Sequence, residues 1–150
     1  MLMRKKNLRK SAHKKVEYAL RHEAEIRRLV RDAKLDSQPP DKAAGPPGGG
    51  GISDPTAAQA VRELTPVRAV VMHSGDTLYK PETWLRVVDS VYAQAAEYER
   101  AVAKYFFAGH SRIETQMKYN ISERNVYYIC DDIRAAGVEI ACQLGLVSVI

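Results

Sequence analysis

The C-terminal part of the chain carries two closely spaced helix-start signals, and these constrain the fold more than any other feature. The first is Ser111-Arg112-Ile113-Glu114, in which the serine hydroxyl can accept from a free amide while the glutamate reaches back to the cap. The second is Ser122, which follows Asn120, a residue that tolerates the left-handed backbone that closes a helix. The pattern predicts a two-turn helix, a turn over residues 119–121, and a second helix from Glu123.

The second helix is predicted to be the longer one, with about five turns that end at Gly145. Its apolar residues return at three- and four-residue steps, so they share one face of the helix. These residues are Val126, Ile129, Cys130, Ile133, Ile140, Ala141 and Leu144.

A short helix, a tight turn and a longer helix, here from Ser111 to about Leu144, are typical of the helix-turn-helix, whose second helix enters the major groove of duplex DNA. Arginine pairs with guanine, asparagine pairs with adenine, and tyrosine donates to phosphate or stacks. The base-contacting candidates are Arg124, Asn125, Tyr128 and Tyr127, and the phosphate-contacting candidates are Ser111, Arg112, Ser122 and Lys118.

Two carboxylates in the middle of the second helix fit DNA less well. Asp131 and Asp132 would be repelled by phosphate, so they either lie beyond the contacted turn, which we favour, or accept from a cytosine amino group. The alternative for the whole motif is a helical hairpin of the core, in which Arg124 and Asn125 are ordinary solvated residues.

Positive charge is concentrated at the N-terminus. Residues 1–35 contain twelve Lys or Arg and four acidic residues, whereas residues 36–150 contain eleven and fourteen. Such an arm would bind phosphate at any DNA sequence by releasing counterions, with a solvated tail as the alternative. The phosphate-contacting candidates in the arm are Arg4, Lys5, Lys6, Arg9 and Lys10.

From Ser11 to about Lys34 an apolar stripe predicts one helix. Its partner is either the C-terminal domain or the same helix of another subunit, so self-association stays open.

Residues 36–52 contain two Pro-Pro pairs and a run of four glycines, which predicts a flexible linker. No Lys-Ser or Lys-Thr pair follows the glycines, so a phosphate-binding loop is disfavoured. The predicted organisation is an arm over 1–35, a linker over 36–52 and a helical DNA-binding domain over 53–150.

Within that domain, Asp54 and Pro55 start a helix that continues over residues 57–64, and residues 67–72 are compatible with a helix or a short strand. Residues 82–107 are predicted to form a single long helix, whose apolar face would build the core. That face contains Trp84, Leu85, Val88, Val91, Tyr92, Ala95, Tyr98, Val102 and Tyr105. The predicted class is therefore all-α, a helical bundle that ends in the helix-turn-helix.

Several functional classes are disfavoured. No apolar run is long enough to cross a membrane, and the basic start lacks the apolar block of a secretory signal, so we expect a cytoplasmic protein. Cys130 and Cys142 would lie about 18 Å apart on one helix and cannot pair. The four histidines have no ligand spacing, and no nucleophile elbow or phosphate loop is present. We expect no metal, no cofactor and no enzymatic activity.

Several segments follow one another in a characteristic order. They begin with the basic N-terminal helix containing Val16-Glu17-Tyr18-Ala19-Leu20, the glycine-rich break before Ile52-Ser53-Asp54-Pro55-Thr56, and the Trp84 helix. They continue with Tyr105-Phe106-Phe107-Ala108-Gly109, Ile121-Ser122-Glu123-Arg124-Asn125-Val126-Tyr127-Tyr128 and the ending Ile140-Ala141-Cys142-Gln143-Leu144-Gly145-Leu146-Val147. In this order the chain resembles the phage late-gene transcriptional regulators of the RinA and ArpU type.

The resemblance implies a C-terminal domain similar to region four of sigma factors, which binds promoter DNA and can touch host RNA polymerase. The recognition residues implied here are Arg124, Asn125 and Tyr128. The Asp131-Asp132 pair departs from the basic character expected at that point. The alternative function is DNA packaging, as in a small terminase subunit, which would need a ring-forming helix, and residues 11–34 are the only candidate.

Overall fold

The computed structural model describes residues 2–36 and 65–148, with the side chains of the first helix described from Lys10 onward. Regular structure in these ranges consists of six helices and one two-stranded sheet, which confirms the all-α class. The helices are α1 (Leu2–Arg21), α2 (Glu23–Asp36), α3 (Pro81–Gln94), α4 (Glu97–Phe107), α5 (Arg112–Tyr119) and α6 (Glu123–Gln143). The predicted linker over 36–52, apart from Asp36, and the predicted helix over 57–64 lie outside the described residues.

The chain forms two compact units, which differ from the predicted division at residues 35 and 53. One unit contains Met1–Glu23 and Thr83–Ile150, and the other contains Ala24–Glu82. The first helix therefore belongs with the C-terminal helices, because its apolar face is covered within that unit. The covered residues are Ala12, Val16, Ala19 and Leu20.

The predicted single helix over 11–34 is interrupted at His22, where a turn separates α1 from α2. The His22 backbone N–H still donates to Tyr18 O at 3.0 Å, and its ring Nδ1 lies 2.8 Å from the same oxygen. In the second unit, α2 buries Ile26 and Val30. The apolar stripe over residues 11–34 is thus divided: its first part is buried in the first unit and its second part in the second unit.

The segment whose helix or strand state was open forms a strand. Strand β1 (Ala69–Val71) pairs antiparallel with β2 (Thr77–Tyr79), with Val70 opposite Leu78. Gly75 at φ 93° allows the tight connection, in which the Met72 N–H donates to Asp76 O at 2.7 Å. Ser74-Gly75-Asp76 are typical turn residues, whereas no pattern in the sequence indicates the short second strand.

The prediction of one continuous helix over 82–107 is wrong. The helix stops at Gln94, and Ala96 is extended at φ −61° and ψ 148° before α4 begins. The break contains no glycine, proline or capping side chain, so no local pattern in the sequence indicates it. It is stabilised by Arg100, whose guanidinium donates to Ala95 O at 3.2 Å. Tyr98, expected in the core, is exposed as a result.

The core of the first unit lies between α1, α3, α4 and α6. Its largest fully buried side chain is Phe107, and Val16, Val87, Val88, Val91, Val102 and Val126 are fully buried with it. Val126 lies in the first turn of α6, so this core also holds the start of the second helix of the predicted helix-turn-helix.

Candidate nucleic-acid interface

Both predicted helix starts are capped as expected. Ser111 is extended, and its hydroxyl accepts from the Glu114 N–H at 3.1 Å. Ser122 is also extended, and its hydroxyl accepts from the Asn125 N–H at 3.2 Å. Each cap satisfies an amide that the helix leaves free, so α5 and α6 begin at the predicted residues.

The reciprocal half of the capping box is absent, which corrects that part of the prediction. Glu114 Oε2 lies 3.0 Å from His110 Nδ1 instead of reaching back to the Ser111 amide. The His110 ring stacks on Tyr105 with the ring centroids 3.7 Å apart. Stacking on Tyr105 thus holds the His110 imidazole beside the Glu114 carboxylate. The carboxylate contacts this imidazole instead of the Ser111 amide.

The turn between the two helices is closed by Asn120 in the left-handed conformation, at φ 51° and ψ 53°. The Asn120 N–H donates to Gln116 O, and so does the Ile121 N–H, at 3.2 Å. These bonds satisfy a carbonyl at the end of α5 and turn the chain directly into the Ser122 cap. The predicted turn is therefore confirmed at Asn120 and Ile121, whereas Tyr119 is the last residue of α5.

The four base-contacting candidates all lie on the exposed side of the first two turns of α6. Arg124 and Asn125 are exposed, and Tyr127 and Tyr128 keep 51% and 47% of their surface accessible. Val126, between them in sequence, is 1% exposed and anchors this end of α6 in the core. Because Val126 is buried, the side chains of the four neighbouring candidates are left on the exposed surface of α6.

Arg124 and Tyr128 are coupled. The Arg124 Nε donates to the Tyr128 hydroxyl at 3.0 Å, and the guanidinium carbon lies 5.5 Å from the ring centroid. Within the described residues the terminal nitrogens of Arg124 have no partner. A guanidinium held by its inner nitrogen presents its two outer nitrogens as a fork, the geometry that pairs with the acceptors of guanine.

A shallow groove of about 550 Å³ runs between the starts of α5 and α6. Its lining contains five of the predicted DNA-contacting residues together with an acidic one: Arg112, Ser122, Glu123, Arg124, Tyr127 and Tyr128. Arg112 Nη1 lies 3.4 Å from Glu123 Oε1, so an exposed ion pair joins the two helix starts. The sequence does not reveal this ion pair, because it links residues on different helices.

The other phosphate-contacting candidates lie outside this groove. Ser111 is exposed but its hydroxyl serves as the α5 cap. Lys118 Nζ lies 4.2 Å from the Tyr105 ring centroid and 5.7 Å from that of Tyr119, so its ammonium group makes cation–π contacts with α4 and α5. Its ammonium group remains on an exposed residue.

The acidic pair of α6 divides between two environments. Asp131 is half-buried, and its carboxylate lies 3.8 Å from the Arg134 guanidinium. Asp132 is exposed, and it stands one helical turn beyond Tyr128 on the same outward strip. Of this pair, Asp132 is the one that adds a negative charge to the surface that continues from Arg124.

An apolar pair on α5 was also missed. Ile113 and Met117 are 67% and 79% exposed, and their four-residue spacing places them together on the outer side of α5. The spacing was available in the sequence, but nothing there showed that the opposite side of α5, with the fully buried Thr115, faces the core.

Lys10 does not join the groove. It is exposed on α1, beside the α1 residues that meet the C-terminal end of α6. The side chains of Arg4, Lys5, Lys6 and Arg9 lie outside the described residues. The structure thus gathers Arg112, Ser122, Arg124, Tyr127 and Tyr128 at one place and leaves Lys10 elsewhere.

Comparison with known proteins gives no relative for this chain: no protein-family model, curated protein or solved structure matches it. In the described ranges, none of the helices has the length and apolarity required to cross a membrane. The same ranges contain no cluster of three metal-ligating side chains. A proposal of function therefore depends on the site itself and on the order of the sequence segments.

Proposed function

We propose that this protein is a sequence-specific DNA-binding transcriptional regulator that reads the major groove with the first two turns of α6. The observation that carries the proposal is the exposed set of Arg124, Asn125, Tyr127 and Tyr128 beside the capped start of α6, with Val126 buried behind them. A major groove about 12 Å wide admits one α-helix, and its leading residues then reach base edges.

The side chains supply complementary chemistry. Arg124 has two outer nitrogens for the acceptors O6 and N7 of guanine, and the Asn125 amide can both accept from and donate to the adenine edge. The tyrosine rings offer a hydroxyl to phosphate and an apolar edge to thymine methyl groups. Arg112 and Lys118 would contact phosphates of the DNA backbone, since such contacts set the register of the helix that reads the bases.

Binding requires one local rearrangement. Arg112 is paired with Glu123 at 3.4 Å in the free chain, and both residues are more than half exposed. An exposed pair at this separation is worth little in water, so phosphate can replace the carboxylate as the partner of Arg112 at small cost. Glu123 would lose this partner, but it lies in the first turn of α6, where the helix dipole favours a negative charge.

We further propose that the regulator is of the phage late-gene type and acts in the cytoplasm together with host RNA polymerase. This part of the proposal rests on the resemblance to RinA- and ArpU-type regulators. The exposed Ile113 and Met117 on α5 give polymerase an apolar patch next to the DNA-contacting groove. Polymerase would contact these side chains while α6 stays on the promoter.

The packaging alternative finds less support. A ring built through residues 11–34 would need an apolar face that is free for subunit contacts, whereas Val16 and Ala19 of α1 are each 1% exposed within their own unit. Light scattering of the pure protein would give a monomer or dimer mass for the regulator and a much larger mass for a ring.

The decisive experiment selects bound sequences from random DNA duplexes with the full chain and then measures the affinity for the enriched site. Arg124→Ala should lose about 1–3 kcal/mol and relax the preference at one base pair, as removal of a bidentate contact does. The matched control is Arg86→Ala, which removes an exposed arginine of α3 and should leave affinity unchanged. Failure to enrich any sequence, or equal losses for the two variants, would exclude the proposed reading surface.

A further inference from the structure

A second basic surface lies on α1. It consists of Lys10, Lys14 and Lys15, all exposed, and we call it the α1 lysine surface. Within the described part of the chain none of the three lysines forms an ion pair, whereas Arg21 is paired with Glu17 on the same helix. Unpaired ammonium groups on one helix surface are available to neutralise an external anion.

Helix α1 runs antiparallel along α6, as three contacts at successive levels show. Glu17 lies 3.7 Å from Arg134, Val16 packs directly against Gly137, and Ser11, Ala12 and Lys15 line a cavity together with Gly145–Ser148. Later residues of α1 thus meet earlier residues of α6. The α1 lysine surface consequently lies at the C-terminal end of α6, opposite the groove at its start.

The α1 lysine surface and the groove at the start of α6 are far apart compared with the reach of a side chain. Helix α6 has 21 residues, so its ends are roughly 30 Å apart at the usual rise per residue. That distance approaches one turn of B-DNA, which is about 34–36 Å. A side chain at one end of α6 cannot touch the phosphates next to bases read at the other end.

Two acidic residues lie between the two basic surfaces. Asp132 and Glu139 are exposed on α6 between its two ends, on the strip that begins with Arg124. A straight duplex laid along this strip would bring its phosphates against both carboxylates. The arrangement of charge therefore opposes one continuous contact and favours two separate ones.

We infer that the α1 lysine surface is a second DNA-binding site, which holds the phosphate backbone of a duplex segment distinct from the one read by α6. The inference depends on the proposed function for the identity of the first segment. The second contact is independent of base sequence, because lysines bind phosphate as point charges and release counterions. One chain would thereby bridge two duplex segments, such as a promoter and DNA looped back to it.

The test uses the full chain, an immobilised short duplex of roughly 15 bp that contains only the selected site, and a labelled second duplex of unrelated sequence. Wild-type protein should retain the labelled duplex on the immobilised one. Joint replacement of Lys10, Lys14 and Lys15 by Gln should lower retention at least tenfold and reduce its salt slope by about 2 to 3, as expected for three phosphate contacts. Affinity for the short duplex alone should change by less than about twofold.

Two controls isolate position from net charge. Joint replacement of Arg28, Arg31 and Arg68 by Gln removes the same charge from exposed residues of the second unit and should leave retention unchanged. Joint replacement of the three α1 lysines by Arg keeps the charge and should preserve retention, which also guards against a folding defect of the Gln variant.

The outcomes separate this inference from the proposed function. A wild-type protein that binds the selected duplex but retains no second duplex overturns the inference and leaves the proposed function intact. A Gln variant that loses affinity for the short duplex as much as for the second one also overturns it, because the lysines would then contact the same segment. Absence of any selected duplex contradicts the proposed function instead.

Discussion

Gly137 of α6 lies directly against Val16 of α1, so closely that a Cβ atom on Gly137 would come within 2.5 Å of Val16 Cγ1. Val16 is 1% exposed, and a helical valine has one strongly preferred rotamer, so its methyl group cannot swing aside. The missing side chain at position 137 therefore sets how closely the first helix approaches the last.

Gly137→Ala should destabilise the protein even though alanine favours helix. Overpacking of a filled core costs roughly 1–3 kcal/mol, while replacing glycine within a helix gains about 1 kcal/mol, so we expect a net loss of about 1 kcal/mol. Urea unfolding followed by the fluorescence of Trp84, the single tryptophan of the chain, would measure it. In a Val16→Ala background the same substitution should become neutral or stabilising, and an unchanged loss there would contradict the contact.

This contact also shows what sequence reasoning could not reach. Val16 and Gly137 are far apart in the chain, and the apolar stripe around Val16 fits a partner within the chain as well as one from another subunit. Periodicity shows which face of a helix is apolar, but not which helix covers it. The break at Ala95–Ala96 was invisible for a related reason, because Arg100 and the packing of two helix faces stabilise it without any capping side chain.

The helix pair, in contrast, was predictable almost residue by residue. Its helix ends depend on local effects, which act over only a few residues. Free backbone groups are satisfied there by the side chain or the conformation of Ser111, Asn120, Ser122 and Gly145. The exposure of Arg124 and Asn125 followed from the spacing of Val126 and Cys130. The pairing of Arg112 with Glu123 did not, since it depends on the angle between two helices.

The left-handed Asn120 gives a prediction about the turn. Asn120→Gly should change the free energy of unfolding by less than about 0.5 kcal/mol, because glycine adopts φ 51° without steric cost. Asn120→Ala should lose about 1 kcal/mol, because alanine lacks the local hydrogen bonding that lets asparagine tolerate this region. Urea unfolding of both variants measures the difference, and equal stability would mean that the turn is not held left-handed.

Asp132 gives a prediction about DNA affinity. Asp132→Asn should strengthen binding to a selected duplex about twofold at 0.1 M salt, because a carboxylate next to the DNA-reading turn repels phosphate. Glu139→Gln removes the same charge about 10 Å further along α6, close to one Debye length at 0.1 M salt, and should have a smaller effect. Fluorescence anisotropy titrations would compare them. Equal gains would assign the effect to net charge and contradict the placement of DNA at the start of α6.

Cys130 gives a prediction about thiol reactivity. Burial raises the pKa of the Cys130 thiol from 9.0 to about 11, against the lowering influence of the nearby Arg134 and Arg21 guanidinium groups. The thiolate is the reactive form, so Cys130 should resist disulfide-exchange reagents at pH 8, whereas the half-exposed Cys142 should react. The native protein should therefore release one equivalent of reporter thiolate and the unfolded protein two. Cys142→Ala should abolish the native reaction, and any rapid labelling of that variant would show that Cys130 is accessible.

The same pKa gives a prediction about stability at high pH. Above pH 9 the unfolded thiol loses its proton while the folded thiol keeps it up to about pH 11, so the folded state binds more protons in this window. The free energy of unfolding should consequently fall as pH rises from 9 to 11, by about 2 kcal/mol from this group, since one pKa unit corresponds to about 1.4 kcal/mol. Other groups titrate in the same range, so the comparison is with Cys130→Ala, whose unfolding free energy should fall less steeply with pH although it is lower near neutrality. Parallel pH dependences for the two proteins would mean that the Cys130 thiol ionises equally easily in the folded and unfolded chains.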